Sequence, residues 1–310
     1  APKPPFITST LQQDASNKFS WPSKKTMNVA QSLFGAGLIT YHRTDSIRVE
    51  SDKIDSARDK VEAIYGKNFL SSSKKNWKNA NAAQDAHEAI RPTYEQVPTN
   101  LMQDEKKLLK LITGRFLASQ MSDAKIDKTT INIKSDSGKK YVFATSGDVV
   151  SFEGFFKAYG GIKAGATLPK VTKGQSLNKK SIENAKNLTK APGRYTDASL
   201  VKKLEKEGVG RPSTYASIID TLENRGYIKR EKKTLCATEI GIMVSDYLSS
   251  NFPSIVSTNF TIKMEEALDK IAGGSLEYIP VMKTFYNKIN KSIEDAVRLP
   301  LPKSFHVDTE

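Results

Sequence analysis

The sequence predicts an α+β fold that is predominantly α, with helix-turn-helix or winged-helix-like units in two α-rich domains and a β-rich segment between them. Three observations predict this fold. Helical patterns with N-terminal caps occupy both ends of the chain, β-branched and aromatic residues are concentrated in the middle, and one order of elements occurs twice. The predicted domains are 1–127, 128–192 and 193–310.

The first helical unit covers residues 9–43. Ser9 or Thr10 caps a helix, "TSTLQQDASNKF", whose apolar residues recur every four positions. Ser23 caps a second helix, which is predicted to end at Gly35 and Gly37 because glycine readily terminates helices. The following "LITYHR" is predicted to be a strand.

The same order of elements returns in "TDASLVKKLEKEG", "VGRPS", "TYASIIDTLENR" and "YIKRE". At an offset of 189 residues the following positions correspond: Leu11 and Leu200, Val29 and Ile218, Ala30 and Ile219, Leu33 and Leu222, Gly37 and Gly226, Ile39 and Ile228. One supersecondary unit is therefore predicted to be used twice; the alternative is two unrelated helical hairpins that share core spacing by chance. Tyr41 aligns with Arg230, so only the first copy carries a phenol.

Local composition predicts the remaining elements. Helices are expected at about 51–65, 80–90 and 103–121. Strands are expected between about 128 and 190, in "KTTINIK", "KKYVFATS" and "DVVSFEGFFKAY", with "SLNKKSIENAK" as one more. Beyond the second copy, "STNFTIKMEEALDKIA" and "IPVMKTFYNKINKSIEDAV" are predicted to be amphipathic helices.

The chain is strongly basic, which bears on its partners. Its 310 residues include 48 Lys and Arg against 34 Asp and Glu, a formal net charge of +14. This excess favours a polyanionic partner, nucleic acid before a membrane surface, because no basic amphipathic helix stands out.

Further sequence features indicate the compartment. The chain has a single cysteine, Cys236, no apolar run that could cross a bilayer, and no signal peptide. We therefore expect a structural role for Cys236 and a cytoplasmic, nucleoid-associated protein without a membrane partner. Because the sequence lacks an initiating Met, we expect a piece of a longer protein.

The stretch "GLITYHRTDS" gathers several reactive side chains. Tyrosine can attack a phosphodiester, and the resulting phosphotyrosyl ester conserves the bond energy needed for resealing, so no ATP is required. Arg43 can place two N–H donors on phosphate oxygens. On a strand, Tyr41 and Arg43 share a face and His42 lies on the other, while Thr44 and Asp45 cap the turn.

A second group of polar residues lies in "AAQDAHEAIRP", residues 82–92. The pattern predicts a helix that ends near Ile90, because Pro92 disfavours helix in the residue before it. His87 and Arg91 are four residues apart and would share a helix face. They suit phosphate contact or proton transfer; a surface or core histidine is the alternative for His87.

These two stretches, with "TSTLQQDASNKF", "RYTDASLVKKLEKEGVGRPSTYASII" and "RGYI", resemble type IA DNA topoisomerases of the bacterial topoisomerase I kind. The resemblance covers roughly residues 4–272 in the family's order. It implies that the full-length enzyme cleaves single-stranded DNA transiently, passes a strand, religates, and relaxes negatively supercoiled DNA. It also implies that 1–127 is the tyrosine-bearing gate domain and 128–192 a β-rich arch that lifts this domain.

The resemblance also assigns residues. Tyr41 is the implied nucleophile that retains a 5′ phosphate, Arg43 contacts that phosphate and helps activate Tyr41, and His87 binds a phosphate nearby. The other implied nucleic-acid-binding residues are Arg91, Thr196, Arg211, Ser213 and Thr214. We also expect a monomer.

Two departures qualify the resemblance. His42 stands where bacterial topoisomerase I often has methionine. Similar histidine-containing stretches occur in reverse gyrases, so the topoisomerase half of a reverse gyrase stays an alternative. The Mg²⁺-binding Toprim domain with its Asp-x-Asp-x-Glu cluster is also missing from the sequence. We expect Mg²⁺ only in the full enzyme and no metal on this chain, where Glu265, Glu266 and Asp269 are interpreted as a solvated helix face.

Because the Toprim domain is missing, we expect that the chain binds single-stranded DNA but neither cuts nor relaxes DNA efficiently alone. Two other functions are alternatives. In a non-catalytic winged-helix DNA-binding protein, Tyr41 would merely rest on the core. Tyrosine recombinases and type IB enzymes place the tyrosine after their arginine and histidine residues, whereas Tyr41 precedes His87 and Arg211.

Overall fold

A computed structural model describes residues 1–79, 87–93, 99–136, 141–161 and 165–298. The chain divides into two compact units. The first unit comprises Ala1–Ile7 and Val29–Gly193, and the second comprises Thr8–Asn28 with the chain from Arg194 onward. The three-domain division made from the sequence stays a prediction.

The first predicted helix pair is confirmed: α1 spans Thr8–Phe19 and α2 spans Ser23–Gly35. Helix α3, Ser51–Tyr65, and helix α4, Gln103–Ala118, also form where the periodicity places them. A 3-10 turn at Lys67–Phe69 follows α3.

The core of the first unit forms between α3 and α4. Helix α3 buries residues three and four apart, as an amphipathic helix does, and these pack against the end of α4. The buried members of this cluster are Ala57, Val61, Phe116, Leu117 and Met121.

Two predictions in this unit are wrong. Residues 38–43 form no regular strand; only Ile39 makes an isolated antiparallel bridge, with Pro92. Of the helix predicted at 80–90, residues 80–86 lie outside the described residues, and 87–90 are not helical. The segment is extended because Ile90 bridges Phe6, a pairing between distant residues that helical periodicity does not reveal.

The β-rich segment is simpler than predicted. Strand β1, Lys125–Lys134, pairs antiparallel with β2, Val142–Phe152. "KKYVFATS" and the start of "DVVSFEGFFKAY" thus contribute to one strand, whereas Phe156–Tyr159 forms a short helix, α5. Within the described residues 165–193 no strand forms, so the one expected in "SLNKKSIENAK" is absent.

The second unit contains the second copy of the helix pair. Helix α6 spans Asp197–Glu207, helix α7 spans Tyr215–Asn224, and strand β3 spans Ile228–Glu231, as predicted. Strand β4, Thr234–Ala237, was not predicted; it pairs antiparallel with β3 and carries the buried Cys236. Four helices follow: α8 (Glu239–Asn251), α9 (Pro253–Val256), α10 (Thr258–Ala272) and α11 (Tyr278–Val297). Of these, α10 and α11 were predicted.

The predicted repeat is confirmed at the turn that ends each helix pair. The amide of Leu38 donates to the carbonyl of Leu33, and 189 residues later Tyr227 donates to Leu222. Glycine follows the helix in both copies with nearly the same left-handed backbone, φ +70° at Gly37 and φ +69° at Gly226. Beyond this turn the copies differ, because only the second continues into a strand pair.

Among the described residues, no helix is both long and apolar enough to cross a membrane.

The turn of the first copy gives a stability prediction. Gly37→Ala should lower the free energy of unfolding by about 1 kcal/mol, because an L-residue is strained in the left-handed region. Gly35→Ala is the matched control: Gly35 is helical with nothing within 4 Å of an added Cβ, so alanine there should be neutral or stabilising. Urea unfolding followed by circular dichroism measures both. Equal effects at the two positions would contradict the assigned turn.

Candidate active site around Tyr41

The candidate site depends on a pairing between two segments that are about 50 residues apart. The amide of Thr40 donates to the carbonyl of Arg91 (3.0 Å), and the amide of Thr93 donates to the carbonyl of Leu38 (3.1 Å). The hydroxyl of Thr40 donates to the carbonyl of Ala89 (2.7 Å) and accepts from the amide of Arg91 (3.0 Å). Through these bonds to Ala89 and Arg91, Thr40 holds the segment 89–93 in place.

The opposite edge of this segment is also paired. The amide of Ile90 donates to the carbonyl of Phe6 (2.8 Å), and both side chains are fully buried. Pro92 has no amide hydrogen and disfavours helix at Arg91, so the sequence suits an extended segment here. Three short segments, at Phe6, at residues 90–92 and at Ile39, are therefore paired side by side. Tyr41 follows two residues after Ile39.

This pairing brings His87 to Tyr41. The two ring centroids are 5.7 Å apart, and the Tyr41 side chain is 40% exposed. Phe34, at the end of α2, lies on Tyr41 edge-on, with 5.3 Å between ring centroids and 67° between planes. The phenol is thus accessible and surrounded by rings.

Burial alternates along the chain after Thr40 even though no strand forms. Tyr41 and Arg43 are exposed, whereas His42 and Thr44 are buried. Both Tyr41 and Arg43 are exposed, as a shared face requires, but the backbone bends at His42 and Arg43. Because the strand geometry behind the prediction is absent, the shared face stays a prediction. Thr44 also caps the turn as predicted, since its hydroxyl accepts from the amide of Ser46 (3.0 Å).

His42 lies beneath this exposed pair. Its side chain is 1% exposed, and its ring lies 5.7 Å from the Phe34 ring and 5.4 Å from the Tyr41 ring. Burial, followed by the positive charge of Arg43, lowers the pKa of His42 to about 4. The imidazole is therefore neutral at physiological pH and supports the Tyr41 ring from the interior.

Arg91 is not on a helix face with His87, contrary to the prediction. The segment is extended, and the Arg91 guanidinium pairs with Glu88 Oε2 through Nε (3.1 Å) and Nη2 (2.7 Å). Glu88 Oε1 also accepts from the amide of Glu50 (3.3 Å), just before α3. This partly buried ion pair anchors the segment, and a DNA contact by Arg91 stays a prediction.

The remaining predicted residues lie in the second unit. The Thr196 hydroxyl accepts from the amide of Ser199 (3.2 Å) and so caps α6. Arg211, Ser213 and Thr214 form the turn between α6 and α7. Ser213 is exposed, whereas the Thr214 hydroxyl accepts from the amide of Arg211 (2.8 Å).

Arg211 is engaged by acidic residues of α10. Its Nη2 lies 2.6 Å from Asp269 Oδ2, and its Nη1 lies 3.9 Å from Glu265 Oε2. The pKa of Arg211 is raised, and the hydrogen bond to Asp269 is the largest cause. The interpretation of these carboxylates as a merely solvated helix face is therefore wrong: two of them form ion pairs with Arg211.

Sequence reasoning missed three residues of the site. Phe34, the last residue of α2 before Gly35, is 37% exposed and contacts Tyr41. Thr40 and Glu88 hold the segment 89–93 in place. In the sequence, the only indication of this role is that each is a polar residue within an otherwise apolar run. Within the described part of the chain, no group of three or more His, Cys, Asp or Glu side chains could hold a metal ion.

The buried histidine gives a pH prediction. Between pH 6.5 and about 4 the unfolded chain binds a proton at His42 that the folded chain does not, so stability falls as the pH falls. From pH 7 to pH 5 this loss should be about 2 kcal/mol. Chemical denaturation at both pH values measures it. His42→Gln should remove this loss and His87→Gln should retain it; an unchanged loss in His42→Gln would contradict the buried, neutral imidazole.

Comparisons with known proteins place this geometry in a family. The DNA topoisomerase family profile matches residues 1–283. The chain is 40% identical over 301 residues to DNA topoisomerase 1 of Vibrio cholerae, covering 95% of this chain and 34% of that protein. It is 42% identical over 299 residues to DNA topoisomerase 1 of Synechocystis sp., covering 92% of this chain and 33% of that protein.

A solved structure is similar as well. The full-length topoisomerase I of Thermotoga maritima matches with a TM-score of 0.78 and 34% identity, covering 94% of this chain and 50% of that chain. The chain thus spans a third to a half of the length of these relatives. Because the family profile matches nearly the whole sequence, the chain belongs to the DNA topoisomerase family.

Proposed function

We propose that this chain is the tyrosine-bearing part of a type IA DNA topoisomerase, an enzyme that opens and reseals one DNA strand. The observation that carries this proposal is that Tyr41 is exposed and adjoins His87, and that the exposed Arg43 follows two residues later. A nucleophile needs access to phosphorus and cationic or hydrogen-bonding groups for the phosphate oxygens. These three residues supply both.

The proposed step is a transesterification. Tyr41 Oη bonds to the phosphorus, the bond from phosphorus to the 3′ oxygen breaks, and the phenol proton ends on the departing 3′ hydroxyl. The DNA 5′ phosphate is then esterified to Tyr41. Arg43 stabilises the charge on the phosphate oxygens, and His87 binds a neighbouring phosphate or transfers the proton. The reverse step reseals the strand without ATP.

The proposed magnesium site is assigned to other parts of the polypeptide. The described residues hold no cluster of His, Cys, Asp or Glu that fits a metal, and the relatives are two to three times as long as this chain. We therefore propose a separate Toprim domain as the metal-binding partner. Without it, this chain binds single-stranded DNA but relaxes supercoiled DNA poorly.

The second unit is proposed to bind the DNA backbone. Helices α6 and α7 followed by the β3–β4 hairpin suit a winged-helix-like module, and its turn carries Arg211. The formal net charge of +14 supports binding to a polyanion.

Tyr41→Phe is the direct test of the nucleophile. The chain is incubated with a Toprim domain from a relative, Mg²⁺ and a single-stranded oligonucleotide, and covalent adducts are resolved under denaturing conditions. We expect an adduct with the unaltered chain and none with Tyr41→Phe, since only the hydroxyl is removed. Tyr195→Phe, another exposed tyrosine, should retain the adduct. An adduct that persists in Tyr41→Phe would overturn the proposed function.

The Arg211 ion pair gives a separate prediction. Asp269→Asn should raise the affinity for single-stranded DNA severalfold, because the guanidinium would no longer be held by a carboxylate 2.6 Å away and could bind phosphate. Glu266→Gln is the matched control: it makes the same charge change on an exposed residue of α10. Fluorescence anisotropy at fixed salt measures both. Equal gains in both variants would show that Arg211 contributes nothing specific.

A further inference from the structure

The exposed ring of Phe34 is not explained by the proposed chemistry. The residues before it on α2, Ala30 and Leu33, are fully buried, whereas Phe34 is 37% exposed. Its ring contacts Tyr41 and His42 on the inner side, with centroid distances of 5.3 Å and 5.7 Å. Phe34 and Tyr41 together therefore form an exposed aromatic pair at the candidate site.

The repeat shows that contact between these two positions belongs to the shared scaffold. At the offset of 189, Phe34 corresponds to Glu223 and Tyr41 to Arg230. In the second copy these residues also meet, as an ion pair with 3.0 Å between Arg230 Nη2 and Glu223 Oε2. Arg230 pairs with the buried Asp197 as well.

The two copies use this contact differently. In the second copy, the opposite charges of Arg230 and Glu223 pair with each other, and neither position carries an aromatic ring. In the first copy the same contact joins two partly exposed rings. Positioning of Tyr41 alone could be provided by a buried apolar residue, so the exposed part of the Phe34 ring is available for a further contact.

We propose that Phe34 stacks on a nucleobase next to the phosphodiester that Tyr41 attacks; this inference rests on the proposed function. When the phosphate lies at the Tyr41 hydroxyl, the adjoining nucleotide lies at the neighbouring ring. Stacking on an aromatic ring stabilises single-stranded DNA by about 1–3 kcal/mol per base and tolerates any sequence, because every base has a π-face. Phe34 thus holds the strand in register for the attack.

The test uses oligonucleotides in which one base at a time is removed around a single mapped cleavage site. The chain is supplemented with Mg²⁺ and a relative's Toprim domain, and the rate of covalent adduct formation at that site is measured. With the unaltered chain, one abasic position beside the cleaved bond should slow adduct formation about tenfold. Phe34→Trp should keep this sensitivity.

Phe34→Leu separates stacking from packing, because leucine retains apolar contact with Tyr41 and His42 but has no π-face. We expect it to react slowly with the intact oligonucleotide and to lose the sensitivity to the abasic position. Tyr286→Ala, which removes an exposed aromatic residue in the second unit, should behave like the unaltered chain.

The outcomes separate the two proposals. If the adduct forms and Phe34→Leu keeps the full sensitivity to the abasic position, the stacking inference is overturned while the proposed function stands. The same holds if Phe34→Leu slows all oligonucleotides equally and keeps the differences among them, since that result indicates packing alone. If no Tyr41-dependent adduct forms with any oligonucleotide, both proposals are overturned.

Discussion

The candidate site depends on the hydrogen bonds that Thr40 makes with the backbone of the segment 89–93. One hydroxyl both donates to Ala89 and accepts from Arg91, and the Thr40 amide adds a third bond. Without this pairing, nothing in the local sequence would bring His87 to Tyr41. The partly buried ion pair of Glu88 and Arg91 adds a further contact within this segment.

The repeat shows how the proposed nucleophile is placed on a scaffold that the chain uses twice. Both copies end their second helix in the same glycine turn and bring the same two positions into contact. The second copy fills these positions with Arg230 and Glu223, an ion pair within one fold unit. In the first copy, Tyr41 and Phe34 occupy these positions, and both rings are partly exposed. The two copies therefore share the backbone turn and differ in the side chains at these two positions.

Local signals in the sequence predicted most helices and the alternation of Tyr41 and Arg43, because caps, glycines and short-range periodicity determine them. They failed where the partner is distant. The segments 38–40 and 89–93 pair with each other and not with neighbours along the chain. The predicted strand therefore does not form, and the described residues 87–90 of the predicted helix are not helical. The contacts of Glu88 and Asp269 depend in the same way on residues far along the chain.

The chemical polarity of the adduct shows which DNA end Tyr41 retains. An oligonucleotide is labelled at either its 5′ or its 3′ end and joined to the chain in the presence of Mg²⁺ and a Toprim domain. If Tyr41 retains the 5′ phosphate, the 3′ label stays with the protein and the 5′ label is released on a fragment with a free 3′ hydroxyl. Retention of the 5′ label would contradict it, because the tyrosine would then hold the 3′ phosphate, as in tyrosine recombinases.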